Sequence, residues 1–442
     1  MAQSVNTRDL ILEILLQITR DGEYSHIALK NALDQYQYLE KQERAFITRV
    51  VNGTLERMIE LDDIINQFSR VKVNKMKPVI RTILRSAVYQ MKYMDSVPPS
   101  AACNEAVRLA AKRGFGNLKG FVNGVLRSIG RNLKDLSCPS EEGGIHALSV
   151  RYSLPEWILG QWMSEYDEET VCAMAEDFLK EKPVTVRFRP DRISKDELLR
   201  MLNKENVRVR EDSSLPYALH LSGFDYLMKL ESFQKGYYQV QDLSSMQVAE
   251  WAAPKAGDYI IDVCAAPGGK ALHLAEMLKG TGWVEARDLT EYKIGLIREN
   301  IGRSGLTNIE AVRMDARVKD EASVGKADIV IADLPCSGLG VLGRKPDLKY
   351  KMTPDIQKDL VKLQREILSA VAEYVKPGGK LVYSTCTIHR EENEGNTEWF
   401  AGQYPEFHLL RAGQRLPGRD PGDGFYLAMF CRQEAIFKQA LE

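Results

Sequence analysis

At 442 residues, 44% hydrophobic and 27% charged, the chain is long enough for two or three domains and ordinary for a globular protein. No apolar run approaches the ~18 residues of a membrane span. Seven cysteines with no CxxC pair argue against both a disulfide framework and a zinc cluster, so the reducing cytoplasm is expected; a monomer with no metal and no membrane partner is the accompanying expectation. The net charge of −1 hides an asymmetry: residues 1–140 hold 21 Lys and Arg against 14 Asp and Glu, the remainder 39 against 47.

From the N-terminus to about residue 135, the periodicity is helical throughout. MAQSVNTRDLILEILL carries acids inside its apolar stretch and reads as an amphipathic helix, not a secretion signal. Further apolar faces run through Phe46–Ile65, Val79–Met91, Ala102–Ala110 and Leu118–Ile129, with Pro98-Pro99-Ser100 as a turn into a helix. Two basic stretches lie here. Arg70–Arg85 holds Arg70, Lys72, Lys75, Lys77, Arg81 and Arg85 with no acid; Ala106–Lys134 holds seven bases, again with none. A charge run is as often a solvated helix face as a binding surface, but two acid-free segments in one small domain favour a polyanion partner.

Leu136–Gly144 (LSCPSEEGG) is polar with Pro and Gly, and reads as a linker. Helical spacing resumes to about residue 180. Val184–Arg189, Val207–Val209 and Ala218–Leu221 then read as strands around a helix at Lys195–Asn203, a small α+β subdomain. Arg187, Arg189, Tyr237 and Tyr238 are candidates for the border of a substrate channel, although core packing explains the tyrosines equally well.

At Asp258–Lys270 (DYIIDVCAAPGGK) a short apolar strand runs into a turn of small residues, Ala265 to Gly269, followed by a helix. Glycine lets a ligand approach the backbone, though many α/β domains contain such a turn and bind nothing at it. The turn has neither GxGxxG nor GxxxxGK[ST], so neither a dinucleotide nor that phosphate cradle is implied. Strands follow at Gly282–Asp288, Ile309–Met314, Ala327–Asp333, Lys380–Thr385 and Gly424–Cys431. Helices at Tyr292–Ser304, Thr353–Val375 and Glu391–Tyr404 alternate with them. That alternation specifies a doubly wound, mostly parallel sheet, whose ligands sit beyond the carboxyl ends of the strands. Those ends carry Cys264, Asp288 (26 residues after Asp262), Asp315, Asp333-Leu-Pro-Cys336 and Ser384-Thr-Cys386. One strand-end Asp is commonly a helix cap; three beside a glycine turn point to a site.

RDLILEIL, FITRVVNGTLE and KGFVNGVLRSI resemble the NusB family of RNA-binding antitermination factors. DVCAAPGGK, Asp288, MDA, DLPCSGLG, RKPDLKY and YSTCT followed by EENE are similar to the NOL1/NOP2/Sun group of RNA cytosine-C5 methyltransferases. Joined to a NusB-like N-terminus, they resemble its bacterial members that act on 16S small-subunit ribosomal RNA. Gly343 stands where the family often has Arg, and Arg287 before Asp288 is unusual.

The resemblance implies four parts: a NusB-like all-α RNA-binding bundle (1–135), the linker (136–144), a helical and α+β RNA-binding subdomain (145–235), and a Rossmann-like catalytic domain (236–442). S-adenosyl-L-methionine is the implied cofactor. Cys264, Ala265, Ala266, Pro267, Gly268, Gly269 and Lys270 are expected at its methionine end, Asp288 at the ribose, Asp315 at the adenine, and Asp333 between cofactor and base.

Cytosine C5 is a poor nucleophile, and a thiolate added to C6 activates it. The residues alone leave Cys336 and Cys386 open as that thiolate. The resemblance assigns attack to Cys386, product release to Cys336 and the N3 contact to Asp333. Cys103, Cys138, Cys172 and Cys431 read as small buried hydrophobes. Lys75, Lys77, Arg81, Arg344 and Lys345 are candidate RNA contacts. A non-catalytic ribosome-assembly factor, a tRNA-directed enzyme, and a DNA or small-molecule methyltransferase are the competing readings.

Overall fold

A computed structural model describes residues 6–136 and 144–434, which divide into two compact units. The linker expected at 136–144, apart from its two ends, and Cys138 lie outside the described residues.

The first unit runs to Lys180 and takes in Leu342–Lys351. Its helices are Thr7–Thr19, Ser25–Gln35, Lys41–Glu56, Met58–Phe68, Pro78–Tyr93, Pro99–Lys112 and Lys119–Arg131, followed by Gly144–Tyr152, Glu156–Met163 and Glu168–Phe178. Local sequence explains the starts: Asn6 accepts from the Arg8 and Asp9 amides, and Pro78 and Pro99 occupy first-turn positions where no amide donor is needed. The core is aliphatic, built from Leu10, Ile14, Val50, Leu61, Ile83, Val88, Leu126 and Ile129. Ser153 Oγ accepts the Ile59 amide at 2.9 Å, tying the later helices to the earlier ones. The compact units divide at Lys180, within the segment 145–235 that the sequence-based partition treats as one part.

Leu342–Lys351 enters the same unit from far along the chain. Asp347 accepts the Ser25 amide at 3.1 Å, Lys349 Nζ donates to Glu56 O at 2.7 Å, and Tyr350 donates to Leu55 O at 2.9 Å. Burial pulls the Lys349 ammonium down to about 7.

The second unit holds two sheets. The smaller is antiparallel, in the order β2-β3-β1-β4, from β1 (Val184–Phe188), β2 (Arg208–Glu211), β3 (Ala218–Ser222) and β4 (Tyr238–Val240). Leu198 and Leu202 of the helix Lys195–Lys204 cover its apolar face.

The larger sheet contains β5 (Tyr259–Asp262), β6 (Trp283–Asp288), β7 (Ile309–Arg313), β8 (Ala327–Asp333), β9 (Val375–Thr385), β10 (Phe407–Arg415) and β11 (Phe425–Arg432), in the order β10-β11-β9-β8-β5-β6-β7. From β7 to β9 the pairing is parallel; β11 and β10 add antiparallel strands at one edge. Helices Leu243–Ala252, Gly269–Met277 and Glu291–Ser304 bury Val248, Leu274 and Ile297 on one side. Pro354–Ala372 and Glu394–Gln403 bury Leu368, Val371 and Phe400 on the other. Both faces are covered, so the central strands are apolar runs without alternation. No helix among the described residues is long and apolar enough to cross a membrane.

Candidate active site

The site gathers at the carboxyl ends of β5, β6, β8 and β9. At β5, Gly268 has φ +108°, a conformation that favours glycine, and it opens the helix that carries Lys270. Beneath this turn lies Asp262, about 1% exposed, its carboxyl oxygens without a side-chain partner among the described residues. Burial and the nearby Asp333 carboxylate push it up to about 8, against the opposing pull of Lys270. Burial likewise raises the Cys264 thiol, so this cysteine stays neutral.

Asp288, the last residue of β6, is buried and acts as a backbone clamp. Its Oδ2 accepts the Ala266 amide at 3.1 Å and its Oδ1 the Leu289 amide at 2.7 Å, with Lys293 Nζ 3.0 Å away. The strand-end acid thus grips the small-residue turn directly. Asp315 has a different setting: it sits near the surface and pairs with Arg317 at 2.6 Å, which lowers its carboxyl. Asp333 accepts from Lys270 Nζ on one oxygen and from Ser384 Oγ on the other, both at 2.6 Å. Asp333 and Ser384 are register partners on β8 and β9, so the parallel pairing itself sets this contact.

Just beyond that pair the two strands deliver the two cysteines. Cys336 Sγ and Cys386 Sγ are 3.2 Å apart, and the Cys386 amide points at Cys336 Sγ at 3.3 Å. The hydrogen bond to Cys386 and then burial hold the Cys336 thiol well above its ordinary range. Backbone packing fixes the approach. Gly340 N donates to Cys386 O at 3.0 Å, and a Cβ on Gly340 would lie 2.2 Å from Gly424 O and 2.8 Å from Cys386 O. Two polar groups behind the cysteines join the loops: Ser337 Oγ and Thr387 Oγ1 are 2.6 Å apart, and Ser337 Oγ donates to Glu392.

The basic candidates divide. Lys75 and Lys77 are exposed, as are Arg344 and Lys345, whereas Arg81 is half-buried. Arg85 is buried in a two-pronged pair with Asp62, and Lys112 and Arg113 pair with Asp9, so these three bases of the acid-free runs are neutralised by acids from other helices. Arg187 and Arg189 do not border a channel. Both are buried, joined to Glu276 on the helix after the cofactor turn, and burial with Arg189 nearby lowers Arg187 to about 9. Tyr238 is core, bonded to Ser232, and Tyr237 packs partly buried against the same cluster.

Sequence reasoning gives no role to Asp262, Ser384 or Glu392. Asp262 closes an apolar strand and Glu392 stands in the EENE run, so each is visible as a residue; its partners are not.

Comparison with known proteins agrees with this architecture. Residues 249–431 match the family model described as 16S rRNA methyltransferase RsmB/F, residues 5–131 the NusB family, and residues 154–225 a ferredoxin-like domain of RsmF/B-like methyltransferases. A probable ribosomal RNA small subunit methyltransferase B of Bacillus subtilis is 37% identical over 94% of this chain and 92% of its own. Ribosomal RNA small subunit methyltransferase B of Escherichia coli K12 is 28% identical over 98% and 100%. The solved structure of a methyltransferase homolog from Pyrococcus horikoshii superposes with TM-score 0.58 at 26% identity, covering 66% of this chain and 99% of that one.

Proposed function

Since this chain belongs to the RsmB/F family of small-subunit rRNA methyltransferases, which use S-adenosylmethionine, we propose that it methylates C5 of a cytosine in 16S rRNA through a covalent adduct of Cys386 with C6. The observation that carries the reading is the thiol pair: two cysteines 3.2 Å apart at neighbouring strand ends, beside the Lys270–Asp333 ion pair.

The residues fit the cofactor. Asp288 offers the ribose a buried carboxylate, and of its three donors the half-exposed Lys293 is the one free to give way. Asp262 leaves two buried oxygens without a side-chain partner under the turn, beside the expected methionine end. Asp315, released from Arg317, is assigned to the adenine edge. Bound S-adenosylmethionine supplies an electrophilic methyl group.

The protein's part is to make C5 attack that methyl. Cys386 adds as thiolate to C6, and the electron pair displaced from the C5=C6 bond makes C5 nucleophilic. As charge moves into the ring, N3 takes a proton. Asp333 is an ion-paired acceptor here, so that proton comes from the Lys270 ammonium through the pair. C5 would then take the methyl group of bound S-adenosylmethionine, the sulfonium sulfur–carbon bond breaking with its electron pair left on S-adenosylhomocysteine. Loss of the C5 proton to a base re-forms the double bond and expels the Cys386 thiolate, and N3 returns its proton to the Lys270–Asp333 pair. Cys336, whose Sγ lies 3.2 Å from the Cys386 sulfur, is assigned to its release. A base inside a duplex cannot reach such a site, so looped or melted RNA is the substrate form.

Lys75, Lys77, Arg344 and Lys345 are proposed RNA contacts. The reading is tested by incubating the protein with S-adenosylmethionine and 16S rRNA lacking the modification, followed by bisulfite sequencing. One protected cytosine is expected; methyl incorporation elsewhere, or on tRNA alone, would overturn it.

A further inference from the structure

Glu392 has no exposed surface, yet it carries a carboxylate beside two thiols. A buried carboxylate is tolerated when donors satisfy it, and here four converge. Oε2 accepts the Ser337 amide at 2.9 Å and Gln364 Nε2 at 2.9 Å. Oε1 accepts Ser337 Oγ at 2.5 Å and faces His389 Nδ1 at 3.0 Å. Because Ser337 Oγ gives its proton to Glu392, Thr387 Oγ1 is the donor in the 2.6 Å contact between the two hydroxyls. One carboxylate therefore holds the residue after Cys336 and, through it, the residue after Cys386.

The backing is equally specific. Gln364 also donates to Pro335 O at 2.8 Å, on the other side of Cys336. Tyr383 donates to the Glu392 carbonyl, and Asn393 Nδ2 donates to Thr387 O at 3.1 Å. This use of Glu392 accounts for the helical start expected at Glu391 being a tight turn, Arg390–Glu392, with the regular helix beginning only at Glu394.

We propose that Glu392 is the positioning residue of the thiol pair: it touches neither base nor cofactor, and it keeps the two cysteine loops in the register that brings Sγ to Sγ. The proposal deepens the methyltransferase reading and rests on it for the consequence in turnover, but the geometric claim stands by itself. Glu392→Gln keeps the shape and replaces one acceptor oxygen by an NH2 facing two donors. The loops then lose their common anchor, and the sulfurs separate.

Diamide reports that separation without any methyl transfer. It takes two electrons and two protons from a pair of thiols, forming the Sγ–Sγ bond and leaving the reduced hydrazine. In the full-length protein, Cys336–Cys386 cross-linking is followed by mass spectrometry of the peptides, with Cys336→Ser as the blank. Glu392→Gln should slow cross-linking and lower kcat on the order of tenfold to a hundredfold, with KM for rRNA and the Kd of S-adenosylhomocysteine within about twofold of wild type. Should Glu392→Gln not fold, Ser337→Ala removes the hydroxyl that joins Glu392 to Thr387 and should likewise slow cross-linking and lower kcat. Cross-linking at the wild-type rate in the folded variant would overturn the proposal. Since that arm needs neither RNA nor cofactor, an error in the covalent mechanism would appear separately, as slowed cross-linking with unchanged kcat.

Discussion

Replacing Asp288 by Ala separates two quantities, because this carboxylate serves both the fold and the cofactor. In the structure it accepts the Ala266 and Leu289 amides and lies 3.0 Å from Lys293. Alanine leaves both amides without their acceptor, at about 1–3 kcal/mol for each that stays dry. The side chain of Lys293 is 45% exposed, so its ammonium regains water and adds little. The variant should therefore be destabilised by about 2–6 kcal/mol in denaturant unfolding if both stay dry. Cofactor affinity falls independently, by the loss of charge-assisted bonds from the ribose hydroxyls. At about 1.5–3 kcal/mol this is roughly a 10- to 150-fold weaker Kd for S-adenosylhomocysteine in titration calorimetry. Asp288→Asn retains the shape and one acceptor, and should fall between wild type and alanine on both measures. A folded Asp288→Ala protein with affinity within twofold of wild type would remove Asp288 from the cofactor site.

Asp262 sets a pH dependence. Its folded carboxyl, raised to about 8, keeps a proton that the unfolded chain loses near the ordinary aspartate value of 3.8, so stability is greatest below that window and falls as pH rises through it. Asp262→Asn should flatten the fall in Tm between pH 6 and pH 9; an unchanged slope would refute the assignment. Gly340→Ala forces a Cβ against two backbone carbonyls, so kcat should fall about tenfold or more with cofactor Kd preserved; a normal kcat would show that the loops yield freely. Lys75→Glu with Lys77→Glu should weaken rRNA binding and shallow the slope of log K against log salt by about 0.7–0.9 for each phosphate no longer neutralised. An unchanged slope would exclude these exposed lysines from the RNA surface.

What can be read from the chain alone is local. The apolar run Tyr259–Val263 with Ala265–Gly269 behind it marks a buried parallel strand and a turn, and both are there. The strand-end acids and cysteines follow from strand alternation, since parallel strands deliver their last residues to one edge. Partners are not legible. Arg187 alternates like an exposed strand residue, but Glu276, nearly ninety residues away, draws it inside. The basic run ending at Arg85 looks like one surface, yet Asp62 from another helix takes its last member. Strand β10 escapes the sequence reading because it lies at the sheet edge with Leu409 and Leu410 exposed, so its pattern lacks a buried alternation. Leu342–Lys351 reads as a catalytic-domain loop, and only long-range bonds such as Asp347 to Ser25 assign it to the helical unit. Glu392 shows the same limit: a helix-start acid by spacing, a buried anchor by its four donors.

The covalent mechanism is tested most directly by incubating Cys336→Ala and Cys386→Ala separately with S-adenosylmethionine and substrate rRNA, then resolving each on a denaturing gel. With Cys386 as nucleophile and Cys336 assisting release, Cys336→Ala should attack, transfer the methyl group and stall, giving an SDS-resistant protein–RNA band. Cys386→Ala should give no band and no 5-methylcytosine. The opposite pattern would make Cys336 the nucleophile, and methylation intact in both variants without any band would exclude the thiolate mechanism.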